Sequence, residues 1–393
     1  MTLSFERLEQ MRHHQEKQRA VPMERALGGE EVRCGNGVFH RRHQCLDGNL
    51  SHGPFPLIRS QLRDLSPWLP EVAGNRMLYL DTETTGLAGG SGTYAFMVGI
   101  AFFEKGQLRV EQLIMRSHCE EKAMLQYLIE RLENSDGLVT FNGKSFDIPL
   151  LQTRLIMNRL RYDLEELPHL DLLPVSRRLW SHALENCKLE TLETEILGLP
   201  RHGDVPGWMV PQIFFRFLQT GCARGLAQVA EHNRRDILTM VGLVAGLWGY
   251  VDHPHDWSQR FRQDSRLLHL EDLALAQQLF RQRRFEESRQ LLERCYGHFQ
   301  GAPLRQCGTL LARLRRRAGE VSQAQEIWLR LAESFPQDPE LLEQVAKQQE
   351  HVQRDWACAL DWVERALKIK PLAATRVRRL NYRRDRLQRR MLG

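Results

Sequence analysis

The chain changes its hydrophobic rhythm along its length. From about residue 75 to 250, short apolar runs alternate with segments whose apolar positions recur every three or four residues, the mark of strands interleaved with helices. Strands are predicted at Met77 to Asp81, Tyr94 to Glu104, Leu108 to Met115 and Gly137 to Phe141, with helices at Glu121 to Leu132 and Ile148 to Arg159. The glycine-rich stretch Gly86 to Thr93 joins the first two strands as an antiparallel pair. A short strand from His169 to Leu173, a helix from Lys188 to Leu197 and a long helix from about Leu226 to Leu247 follow. A three-strand meander, a helix and a parallel strand define an α/β sheet rather than a bundle.

On either side the pattern differs. Residues 1–70 read as a partly structured leader, with a hairpin expected between Glu31 and Leu50 and prolines at 54, 56, 67 and 70 arguing against a long element. From about 268 onward the periodicity is purely helical. Phe285-Glu286-Glu287-Ser288, Val321-Ser322-Gln323-Ala324 and Trp356-Ala357-Cys358-Ala359 line up at spacings of 36 and 35 residues, with Leu291, Ile327 and Trp362 coinciding downstream. That is the period of tetratricopeptide-like helix-turn-helix repeats. Three regions are therefore expected: a leader over 1–70, an α/β domain over 71–255 and helical repeats with a basic tail over 256–393.

Composition narrows the classes. With 393 residues, 42% apolar, the chain is long enough for two or three ordinary cores. A net charge of +6 permits a polyanionic partner without requiring one. The eight cysteines have no short paired spacing, so neither a zinc ribbon nor a disulfide scaffold is indicated, and His40, His43 and Cys45 lack a fourth spaced ligand. Neither a signal peptide nor a membrane span is seen, and a cytoplasmic protein is expected.

Candidate chemistry begins at Asp81-Thr82-Glu83, where the first strand ends. Period-two alternation sends both carboxylates the same way, an arrangement suited to hard divalent cations. A third acid, Asp147, follows the strand and turn Val139-Thr140-Phe141-Asn142-Gly143-Lys144 and would otherwise serve as a helix cap. A third motif, Glu231-His232-Asn233-Arg234-Arg235-Asp236, puts His232 and Asp236 on one helical face, where an imidazole can take a proton from water. Asp171, in a strand-like apolar run, is a fifth acid. It either supports the site, bonds to a helix terminus or ligates directly.

With these motifs in this order, the chain resembles the ribonuclease-H-like DEDD exonuclease superfamily, and more closely its bacterial YprB-like branch, which joins this domain to a tetratricopeptide-like tail. Supporting segments include Leu170-Asp171-Leu172, Ser176 to Trp180 and Asp204-Val205-Pro206-Gly207. The resemblance implies a ribonuclease-H-like mixed sheet flanked by helices, an all-α repeat region, and a 3'-5' exonuclease using two Mg²⁺ or Mn²⁺ ions. It further implies that Asp81, Glu83, Asp147 and Asp236 hold the ions, that His232 orients or deprotonates water, and that Thr84 and Leu87 touch the terminal nucleotide. Asn142 shapes the turn or contacts substrate, and Lys144 is a phosphate contact by charge or a solvated lysine. One departure is that three residues separate His232 from Asp236, the spacing of the tyrosine-type branch, where histidine-type members have four.

The expected substrate is single-stranded DNA or RNA. Lys144, Arg177, Arg178, Arg234 and Arg235 are candidate phosphate contacts. The tail carries Arg376, Arg378, Arg379, Arg383, Arg384, Arg386, Arg389 and Arg390 against Asp385 alone, and fits either polyanion binding or an amphipathic helix on Val377, Leu380 and Leu387. The alternative function is a scaffold whose repeats bind nucleic acid or a protein partner, with weak or no nuclease activity.

Overall fold

The computed structural model describes residues 20–47, 51–53, 55–56, 76–86, 92–181, 184–201, 203–252 and 265–392. The chain divides into two compact units, Met1–Phe261 and Arg262–Gly393.

The first unit is built on a mixed sheet of seven strands: β1 (Glu30–Cys34), β2 (Gly37–Asp47), β3 (Met77–Thr84), β4 (Ala95–Glu104), β5 (Gln107–Ile114), β6 (Gly137–Thr140) and β7 (His169–Asp171), in the order β1-β2-β5-β4-β3-β6-β7. The first five strands in that order pair antiparallel; β6 and β7 then add in parallel to β3. The hairpin expected between Glu31 and Leu50 is present and joins the main sheet, because β2 pairs along the length of β5 from His40 opposite Ile114 to Asp47 opposite Gln107.

Helices cover the sheet: α1 (Met23–Leu27), α2 (Glu121–Glu133), α3 (Asp147–Met157), α4 (Leu172–Trp180), α5 (Leu189–Glu195), α6 (Val210–Thr220) and α7 (Arg224–Asp252). Apolar runs that read as strands are buried on both faces: Met77, Leu78, Tyr79 and Leu80 are all within the core, as is the segment Ala95 to Ala101 of β4. The predicted strand His169 to Leu173 stops two residues early. Asp171 accepts a hydrogen bond from the Leu173 N–H at 3.0 Å, and this cap converts the following apolar residues into the first turn of α4.

The second unit is all helical: α8 (Ser265–Arg281), α9 (Phe285–Cys295), α10 (Gly301–Arg317), α11 (Val321–Ser334), α12 (Pro339–Gln348), α13 (Trp356–Lys368) and α14 (Ala374–Leu392). Helices α9, α11 and α13 start at the three aligned residues Phe285, Val321 and Trp356. Their fourth positions, Ser288, Ala324 and Ala359, are small and fully buried where helices approach closely. Trp328 lies in the core, whereas Trp356 and Trp362 are half-buried.

Candidate active site

Because β3, β6 and β7 are parallel neighbours, their carboxyl ends share one rim, the place where open α/β sheets bind ligands. Asp81 and Glu83 leave β3 there, next to a bulge between Glu83 and Thr84 that shifts the register with β4. Beyond β6 the chain turns through Asn142, at a left-handed φ of 64°, and Gly143, where a Cβ would lie 2.4 Å from Thr140 Oγ1. Asp171, at the end of β7, fixes this turn by accepting from the N–H groups of Asn142 at 2.8 Å and Lys144 at 3.2 Å. The turn delivers Asp147 to the start of α3. There its Oδ1 accepts from the Thr82 hydroxyl at 2.6 Å and the Thr82 N–H at 3.1 Å, while Phe146 occupies the cap position.

Helix α7 closes the site from the face of the sheet. Fully buried Asn233 donates to Asp81 Oδ2 at 2.9 Å and accepts from Gln112 Nε2 at 3.0 Å, and Gln112 also donates to the Ala230 carbonyl at 2.6 Å. Gly99 pairs with both Asp81 and Gln112 and leaves the space this chain of bonds needs, since a Cβ there would lie 2.1 Å from Asn233 Oδ1. Beside Asn233, His232 and Asp236, one turn apart on the same helix, face each other, Nε2 being 3.6 Å from Oδ2.

The residue that sequence reading missed is Arg201, in the segment between α5 and α6. Its side chain is only 4% exposed and forms ion pairs with Glu193, Asp204 and Asp236, the Asp204 contact being 2.9 Å. Asp204 in turn lies 2.7 Å from His232 Nδ1. A lone arginine after Gly198-Leu199-Pro200 carries no periodic signal. The acids it joins come from α5, its own loop and α7.

These contacts set the electrostatics. Burial lifts the Asp81 and Glu83 carboxyls well above the usual range, and neighbouring acids lift them further: Asp236, Asp147 and Glu83 act on Asp81, and Asp236, Asp147 and Asp204 on Glu83. Burial also raises Asp147 to about 6, against the lowering effect of the Thr82 hydrogen bonds and with a further push from Asp171. Burial works against ionisation of Asp204 as well, yet His232 and Arg201 hold its carboxyl below the ordinary value.

Asp81, Glu83, Asp147 and Asp236 offer carboxylate oxygens, the donor type that hard divalent cations take. Repulsion among buried acids that lift one another is what such a cation relieves, and in that sense the residues fit the group. Among the described residues no three His, Cys, Asp or Glu side chains are gathered as a ready ligand set, and Asp236 faces Arg201.

Of the expected substrate contacts, the Thr84 hydroxyl donates to the Gly86 carbonyl at 2.8 Å, and Leu87 lies outside the described residues. Lys144 is exposed beside a cavity of about 510 Å³ lined also by Ile148, Leu164, Leu167 and His169. Arg234 and Arg235 pair with Glu231 at 2.7 and 3.4 Å, which answers their charge locally. In α14 the tail takes the amphipathic-helix form, with Val377 half-buried. Leu380 and Leu387 are buried, Arg379 pairs with Glu343 at 2.6 Å, and Arg383 and Arg386 pair with the buried Glu350, the latter at 2.5 Å.

A mixed sheet with acids on its parallel rim and a helix across the site is the architecture of the ribonuclease H class, and a family model described as the RNase_H superfamily matches residues 78–248. The chain belongs to that superfamily. It is similar to the uncharacterized protein YprB of Bacillus subtilis (strain 168), at 30% identity over 303 residues, which is 75% of this chain and 69% of that protein. Among solved structures it is similar to the family B DNA polymerase from the hyperthermophilic archaeon Pyrobaculum calidifontis, at 13% identity and a TM-score of 0.35, over 52% of this chain and 29% of that one. Superfamily membership supports a nuclease-type activity in general terms. Among the described residues no helix is long and apolar enough to cross a membrane.

Proposed function

We propose that the protein is a DEDD-type exonuclease that hydrolyses phosphodiester bonds of single-stranded DNA or RNA from the 3' end, using two Mg²⁺ or Mn²⁺ ions. The observation that carries this reading is the placing of half-buried Asp81 and buried Glu83 and Asp147 beyond the carboxyl ends of the parallel strands, where burial first and neighbouring acids second raise all three carboxyls. Such a set is costly without a cation and suited to one with it. Bound ions of this kind supply positive charge that polarises the phosphate and eases ionisation of water.

In this reading Asp81, Glu83, Asp147 and Asp236 hold the ions, and Thr82 and Asn233 fix the direction of Asp147 and Asp81. His232 accepts the proton of the attacking water. Thr84 and Leu87 meet the terminal nucleotide, Asn142 shapes the turn that meets the strand, and Lys144 contacts phosphate. The catalytic domain, expected over 71–255, also takes in β1 and β2 of the same sheet, and a tetratricopeptide-like region is assigned to 256–393. The coincidence of the 36- and 35-residue spacings with helix starts supports the repeats and, through them, a protein partner.

The test is degradation of end-labelled single-stranded and duplex DNA and RNA with and without Mg²⁺ or Mn²⁺. Metal-dependent shortening from the 3' end is expected, blocked by a 3' cap and lowered by at least about 10³-fold in Asp81→Ala, as for loss of a principal catalytic group. Folded protein that leaves every substrate intact overturns the reading.

A further inference from the structure

Asp204 stands outside the acids assigned to the ions, yet both its oxygens are engaged. Oδ1 accepts from the Val205 N–H at 2.8 Å and lies 2.7 Å from His232 Nδ1, while Oδ2 accepts from Arg201 Nη1 at 2.9 Å. Arg201 is itself fixed by Glu193 and Asp236, so Asp204 cannot turn away without breaking a buried network.

An ionised carboxylate has only lone pairs to offer. The nitrogen facing Asp204 must therefore carry the hydrogen, and His232 Nδ1–H donates to Oδ1. In the neutral ring this leaves the lone pair on Nε2. At 3.6 Å from Asp236 Oδ2, Nε2 is beyond direct hydrogen-bond reach of that carboxylate, and the side chain is 18% exposed.

We propose that Asp204, locked by Arg201, is the positioning residue of His232: it fixes the ring and its tautomer so that Nε2 is the proton acceptor in phosphodiester hydrolysis. The inference rests on the nuclease reading of the site. In the step it serves, an O–H bond of water breaks and its proton goes to Nε2, while the electron pair stays on oxygen and forms the new bond to phosphorus. The bond from phosphorus to the leaving oxygen breaks, and that oxygen keeps the pair and takes a proton from solvent. The same logic places ordinary second partners of catalytic imidazoles, which orient the ring and choose its tautomer.

Two readouts test it on the full chain. The first is ¹⁵N NMR of histidine-labelled protein without added metal, with His232 assigned by His232→Gln. Hydrogen on Nδ1 and a bare Nε2 are expected in the neutral ring, and Asp204→Ala moves the hydrogen toward Nε2. The second is hydrolysis of labelled oligonucleotides with Mg²⁺. Asp204→Ala lowers kcat by about tenfold to a hundredfold with KM within about threefold, and Asp204→Glu, which keeps a carboxylate, recovers part of the loss. Circular dichroism shows which variants are folded, and Asp204→Asn, of the same shape, replaces Asp204→Ala if that variant is not. A wild-type His232 with hydrogen on Nε2 overturns the proposal, as do folded Asp204 variants that keep both tautomer and kcat. Wild-type protein with the expected tautomer that cleaves nothing overturns instead the nuclease reading and the proton-acceptor role that rests on it.

Discussion

Glu83 is 8% exposed, and the charges acting on it belong to Asp236, Asp147 and Asp204. Its folded pKa lies above its unfolded one, so its favourable contribution exists at low pH and is lost as pH rises through the carboxylate range. Without divalent cations at pH 7.5, Glu83→Gln is expected to be more stable than wild type by roughly 1–3 kcal/mol. The gain should vanish near pH 4, and on the proposed two-ion reading Mg²⁺ is expected to raise the melting temperature of wild type more than that of the variant, as differential scanning calorimetry would show. His169 has the opposite sign. Burial, with Lys144 nearby, lowers it to about 4, and it meets Thr140 Oγ1 at 2.7 Å. The folded state then binds fewer protons than the unfolded between about pH 6.5 and 4, so acidification through that window costs stability. His169→Gln is expected to remove up to about 3 kcal/mol of this pH dependence, read from urea unfolding at each pH. At this scale Asp81, Glu83, Asp147 and the His232–Asp236 pair were legible because their positions follow from strand period, turn and helix spacing. Arg201 and Glu193 were not, since their meeting depends on how a loop closes on α7.

Among the elements, α7 packs Leu226, Val229 and Ala230 into the apolar core that also holds the strands, and adds one polar line to the sheet, Gln112 to Asn233 to Asp81, passing over Gly99. Gly99→Ala puts a methyl group 2.1 Å from Asn233 Oδ1, and either the helix or the amide must shift. A loss of about 1–3 kcal/mol in urea unfolding is expected, together with weaker Mn²⁺ binding, because Asp81 loses its orientation. The strand and helix pattern of this unit was largely readable, for buried strands and amphipathic helices announce themselves by period. Where reading failed, at Leu172 and Leu173, apolar content was ambiguous and one side-chain cap decided the outcome. The place of β1 and β2 in the main sheet was unreadable for a different reason, since β2 pairs with a strand some 70 residues away and nothing local records the partner.

Over the whole molecule, the two units are built differently: a sheet-centred core in one, and in the other helices packed on buried leucines such as Leu292, Leu331 and Leu342 with ion pairs between them. In the second, Glu350 is 1% exposed and meets Arg383 and Arg386 of α14. Glu350→Gln should lower the unfolding transition of the helical unit by roughly 3 kcal/mol, with the transition of the α/β unit unmoved, and calorimetry of the full chain separates the two. The arginine-rich tail was legible as a composition, but its partners were not. Several of its charges are spent inside the unit, so a polyanion meets fewer than the sequence displays. Arg201 has a comparable effect at the rim of the sheet. By giving Asp204 and Asp236 a counter-charge that is part of the chain, it lets the site assemble before any solute arrives. On the proposed two-ion reading, folding and activation are separate events in time, and protein made under chelation is expected to gain function on mixing with ions, with no refolding between.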